Sequence, residues 1–146
     1  MPAATSNPLT SLRTSYTHWT QEHVRWSDTD LVGHANNLTF GAFCETGRSL
    51  FLRRYVDKHF TERAMFLPAQ LILNFIGEVF WPAQVDVGTG VLDIGRSSCR
   101  IGQGLFEGDR CFGTSETVIV LIDEVTRRPQ PIPDSIRNWF EGYRIG

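Results

Sequence analysis

The order of local patterns in this chain predicts an α+β fold in which an antiparallel sheet wraps around one long helix. Three observations carry that expectation. One long stretch has apolar residues at three-to-four spacing. Most of the remainder reads as strands with period-two alternation. Those strands are joined by turns too short for anything but antiparallel neighbours.

Residues 22–27 read as a short strand with Val24 and Trp26 on one face. From residue 38 to about 55, Phe40, Phe43, Cys44, Gly47, Leu50 and Phe51 recur at helical spacing, and Leu38 and Leu52 widen the stripe. Such a helix needs apolar cover over much of its girth. Gly41 and Gly47 are poor helix formers, so a close approach to a sheet is the expected reason for both. After a polar connector, residues 67–79 hold Leu71, Leu73, Phe75 and Ile76. Residues 84–94 alternate, with Val85, Val87 and Val91 on one face. Residues 97–106 run into Glu107-Gly108-Asp109, a hairpin signal, and residues 111–122 end in a dense apolar run. Residues 127–133 hold three prolines and read as a linker. Asp134 can then cap a last short helix whose Ile136, Trp139, Phe140 and Tyr143 form one stripe.

At 146 residues the chain fits one domain, expected over 19–146 and preceded by a flexible tail over 1–18. The first 21 residues carry no acid and only Arg13, too little arginine for a transit peptide, and they lack an apolar signal core. The formal net charge of −2, without a basic run, speaks against a nucleic-acid partner. The longest apolar run, five residues over 118–122, is far too short to span a bilayer, so no membrane partner is expected. Cys44, Cys99 and Cys111 are odd in number and lack ligand spacing, and they read as reduced thiols in a cytoplasmic setting. The four histidines, at 18, 23, 34 and 59, show no ligand spacing either, so no metal is expected.

Chemistry concentrates in Asp28-Thr29-Asp30-Leu31-Val32-Gly33-His34-Ala35-Asn36-Asn37, immediately before the long helix. A carboxylate delivered there meets the unpaired N–H donors of a first helical turn and the positive end of its dipole. That combination can bind and attack a polarised carbonyl. Asp30 has a plain alternative as a helix cap. Asp28 is assigned structural hydrogen bonds. His34 is either a proton shuttle or a turn histidine bonded to backbone, and Asn36 suits the turn. Glu45 and Arg48, three apart on the helix, read as an ordinary pair.

This motif, with Glu45-Thr46-Gly47-Arg48, Ile94-Gly95-Arg96-Ser97-Ser98 and the proline-rich segment after Arg127, resembles the hotdog-fold acyl-CoA thioesterases. The branch is that of 4-hydroxybenzoyl-CoA thioesterase and the related long-chain enzymes, and the similarity spans roughly residues 20–142. The resemblance implies a hotdog fold and hydrolysis of acyl-CoA thioesters, with CoA as part of the substrate and no retained cofactor. It implies Asp30 as catalytic carboxylate and the Asn37 backbone N–H as donor to the thioester oxygen. Asparagine stands where some relatives carry histidine or tyrosine, so the implied role is the backbone's. Arg96, Ser97 and Ser98 lie where relatives contact coenzyme A phosphates. Such proteins assemble as homodimers, often paired into homotetramers, with the ligand channel between subunits.

A thioester asks little of such a site. Its leaving thiol has a pKa of about 8.5, so the site needs an attacking group and a stabilised oxyanion. Asp30 can serve as nucleophile or as base for water. Two other functions stand beside this one. A hydratase or dehydratase on this scaffold would carry Asp-x-Asn-Pro-x-His, whereas Asp30 and His34 are four apart with no proline between. A non-catalytic acyl-thioester-binding module would keep the fold alone. The acyl group, and coenzyme A against acyl carrier protein, stay open at this level.

Overall fold

The computed structural model describes residues 6–54 and 63–146. Five strands form one antiparallel sheet: β1 (His18–Val24), β2 (Ala64–Phe75), β3 (Ala83–Ile94), β4 (Ser98–Glu107) and β5 (Arg110–Asp123). Their spatial order is β1-β3-β4-β5-β2. The long helix α1 (Asn37–Arg53) connects the two edge strands, β1 and β2, and therefore crosses the sheet's inner face. A short helix α2 (Asp134–Glu141) packs near its far end. The expected hotdog architecture is the one observed. The helix end expected at Tyr55, and most of the connector after it, lie outside the described residues.

The core follows from the two periodicities. Phe40, Phe43, Cys44 and Phe51 of α1 are buried, as are Val85, Val87 and Val91 of β3. Near the start of α1 the core includes Phe40, Phe43, Val85, Val87, Leu105 and Phe112. Towards its end Phe51 meets Ile101, Ile119, Ile136 and Phe140. Leu38 and Leu50, expected in the stripe, stand 85% and 45% exposed. A straight helix on a twisted sheet cannot keep so wide a stripe in contact along its length.

Several expectations shift. The first strand begins at His18 and ends at Val24. Trp26 lies in a 3-10 turn (Trp26–Asp28) and is 68% exposed, so it shares no face with buried Val24. In the segment expected to be a flexible tail, Pro8–Ser11 and Arg13–Ser15 form 3-10 turns, with Thr10 and Tyr16 buried. This segment covers the outer face of the sheet, where Leu9 and Tyr16 pack with Trp19, Leu92, Phe106 and Ile145. Arg13 fastens it through Asp86 at 2.8 Å and the Gly108 carbonyl at 2.8 Å. Pro133 is the N-cap of α2, with Asp134 in the first turn, where its charge suits the helix dipole.

Candidate active site

Backbone hydrogen bonds shape the loop between β1 and α1. Asp30 N–H donates to the His34 carbonyl at 3.1 Å, and Gly33 N–H donates to the Asp30 carbonyl at 3.2 Å. Gly33 takes φ +87°, a region that favours glycine, which is how so tight a turn closes. Ala35 N–H donates to the Val79 carbonyl at 2.8 Å and Trp81 N–H donates to that of Gly33 at 3.2 Å. The segment between β2 and β3 is thereby tied to the loop, and His34 pairs with Phe80 in an isolated bridge.

The two aspartates are divided by this geometry. Asp28 is buried and accepts the Arg25 backbone N–H at 2.8 Å, with the Arg25 side chain at 3.0 and 3.3 Å. Burial pushes its carboxyl up, but hydrogen bonds from the Arg25 side chain and backbone outweigh this and hold it below the usual aspartate range. Asp28 lines a depression of about 180 Å³ beside Glu22, His23 and Thr39. Its structural assignment fits these contacts.

Asp30 does not cap α1. Its Oδ1 accepts Val32 N–H at 3.0 Å, and its Oδ2 lies 3.2 Å from His34 Nδ1. The cap of α1 is Asn36, whose Oδ1 accepts Thr39 N–H at 3.1 Å with ordinary backbone angles. Asn37 is the first residue of the helix, where a backbone N–H has no acceptor within the helix.

A cleft of about 300 Å³ opens at this helix start, lined by His34, Asn37, Phe40, Phe75, Gly77 and Glu78 among others. Sequence reasoning missed Glu78. Its Oε1 stands 4.0 Å from His34 Nε2, on the side of the ring away from Asp30. No spacing rule links residues 34 and 78, and the pairing of residues 33–35 with residues 79–81 brings them together. Exposed Trp26, Leu31, Val32, Phe80 and Trp81 surround the same end of the molecule.

Arg96, Ser97 and Ser98 are not part of this cleft. Arg96 and Ser97 lie in the turn between β3 and β4 and Ser98 opens β4, at the end of β3 marked by Ile94, whereas the Asp30 loop joins the Val24–Ala83 end. At about 3.3 Å per residue, β3 separates the two ends by roughly 35 Å. The Arg96 carbonyl accepts Ile132 N–H at 2.9 Å, and the Ser97 carbonyl accepts Leu121 N–H at 2.8 Å, so the turn is braced by the proline-rich segment and by β5. Arg48, expected to pair with Glu45 along the helix, turns inward and donates to the Thr117 hydroxyl at 3.2 Å, while Glu45 is exposed.

Among the described residues no group of three or more His, Cys, Asp or Glu side chains could hold a metal, and no helix is long and apolar enough to cross a membrane. Burial pushes the Cys44 thiol up to about 11, and that of Cys99 up to about 12, so neither is a ready nucleophile.

Comparisons with known proteins place this geometry. A protein of Pseudomonas aeruginosa strain PAO1 superposes with a TM-score of 0.83 at 26% identity, over 92% of this chain and 96% of its own. A predicted thioesterase from Bacillus stearothermophilus gives 0.79 at 27%, over 86% and 95%. A Thermus thermophilus thioesterase complexed with coenzyme A and zinc shares the fold, with a TM-score of 0.77 at 23% identity over 88% and 95%. The uncharacterized Bacillus subtilis protein YsmA is 25% identical over 127 residues, 85% of each chain. The family model of the thioesterase-like superfamily matches residues 24–140, and the chain belongs to that superfamily.

Proposed function

We propose that this protein hydrolyses acyl-CoA thioesters to the free acid and coenzyme A, with Asp30 as the carboxylate on which the reaction depends. The observation that carries this reading is the meeting of His34 and the start of α1 at one cleft, with Asp30 directly behind His34 at 3.2 Å. The acyl carbonyl enters that cleft with its oxygen at the Asn37 N–H, where the helix dipole favours developing negative charge. Asp30 then acts as nucleophile or in activating water. Coenzyme A is the thiol portion of the substrate, in keeping with the complex formed by the Thermus relative.

The functional unit in this reading is a homodimer, two of which can pair into a homotetramer. Edge strand β2 carries no charged residue, and Leu67, Leu71 and Phe75 are 38%, 48% and 50% exposed along it. Such an edge is a template for another strand. A twofold pairing there is antiparallel, and it sets the Asp30 end of one chain beside the Arg96 end of the other. Arg96, Ser97 and Ser98 would then hold coenzyme A phosphates for the neighbouring cleft, through charge-assisted hydrogen bonds.

The test is thiol release from a panel of aromatic, short-chain and long-chain acyl-CoAs. At least one is turned over by the native protein, and Asp30→Ala abolishes that turnover while its circular dichroism and melting temperature stay near the native values. Full turnover by Asp30→Ala would remove the assignment.

A further inference from the structure

We infer that the proton acceptor facing the substrate is His34 Nε2, with Asp30 as its positioning residue and Glu78 flanking it on the other side. This rests on the hydrolase reading and chooses between the two roles open to Asp30 there.

Several observations lead to it. The cleft at the start of α1 is lined by His34, Asn37 and Glu78, and Asp30 is not among its lining residues. Asp30 stands behind the imidazole, its Oδ2 at 3.2 Å from Nδ1, with its Oδ1 occupied by Val32 N–H. The second neighbour of Nδ1 is also an acceptor, the Ala35 carbonyl at 3.4 Å. With acceptors alone around it, Nδ1 carries the hydrogen in the neutral ring, which leaves the lone pair on Nε2. That nitrogen lies on the Glu78 side of the ring, and Glu78 belongs to the cleft. The His34 ring is further held in a T-shaped contact with Phe80, centroids 6.0 Å apart at 86°. A base held by a carboxylate through its other nitrogen is the arrangement that hydrolases use to orient an imidazole and stabilise its protonated form.

The step balances without any co-reactant. A water oxygen bonds to the acyl carbon while one of its protons passes to His34 Nε2. The resulting oxyanion is held at the Asn37 N–H. As the tetrahedral centre collapses, the carbon–sulfur bond breaks and its electron pair leaves on sulfur. His34 returns its proton to that thiolate, giving free thiol and acid and restoring the neutral ring. During the step, Asp30 and Glu78 place a negative charge on each side of the imidazolium.

His34→Asn is the discriminating variant, because its amide N–H₂ sits near the place of Nδ1 and keeps the donors to Asp30 and Ala35 while removing Nε2. Its kcat should fall about a hundredfold or more, the scale of a lost proton-transfer group, with KM nearly unchanged. In H₂¹⁸O the native enzyme should label the acid product and leave the Asp30 peptide unlabelled by mass spectrometry. A His34→Asn variant with native kcat, or ¹⁸O accumulating in Asp30, overturns the inference alone. A native protein inert towards every thioester overturns the hydrolase reading and this inference with it.

Discussion

Asp28 accepts the Arg25 backbone N–H and two N–H groups of the Arg25 guanidinium while buried, whereas Asp30, two residues on, is 37% exposed at its side chain and touches His34. Neighbours of identical chemistry are thus separated, one fastened to Arg25 and the other set against His34, by which way the turn faces them. Removing the Asp28 carboxylate strands a backbone donor, so Asp28→Ala should destabilise the protein by about 2 kcal/mol at neutral pH, measured by urea unfolding. The carboxyl is held below its ordinary value when folded, so its contribution is present above the unfolded value and fades as pH falls. The gap between native protein and variant should therefore narrow below about pH 4. A gap that stays constant down to about pH 2 would contradict the role given to Arg25.

At the scale of the element, α1 shows how two glycines in one helix can have different reasons. A Cβ on Gly47 would meet Val87 Cγ1 at 2.8 Å, Thr20 Oγ1 at 3.1 Å and Gln103 Nε2 at 3.2 Å. Val87 is fully buried and stiff at χ1, so it cannot give way cheaply. A Cβ on Gly41 meets only Leu73 Cδ1, at an ordinary 3.5 Å. Alanine gains about 1 kcal/mol of helix propensity at either position. Gly41→Ala should accordingly raise the melting temperature. Gly47→Ala should lower it, since overpacking costs about 1–3 kcal/mol and exceeds the gain. Sequence alone predicts a close approach at both glycines, and the sheet's curvature grants it to one.

At the scale of the molecule, the two faces and two edges of the sheet are treated differently. The outer face is sealed by the chain's own residues 6–16, with Arg13 lying 4.4 Å above the Trp19 ring. The inner face is filled by α1. The β2 edge stays open and apolar, which supports the dimer proposed above. Leu71→Lys should shift the species seen by sedimentation from dimer towards monomer and lower hydrolysis in parallel. An unchanged sedimentation coefficient would count against pairing at this edge.

The amino-acid sequence by itself determined the architecture, because periods of 3.6 and 2 and a two-residue turn at Gly108–Asp109 are local facts that a chain cannot hide. It also marked the loop that holds Asp30 and His34, since the Gly33 turn depends on adjacent residues alone, although the cap of α1 proved to be Asn36 and not Asp30. Tertiary structure decided what depends on distant partners. It brought Glu78 to His34, turned Arg48 inward to Thr117 and carried residues 6–16 across the outer sheet. It also set Arg96 at the opposite end from the cleft. Each of those outcomes follows from strand order and sheet curvature, and neither quantity is written at any single stretch of chain.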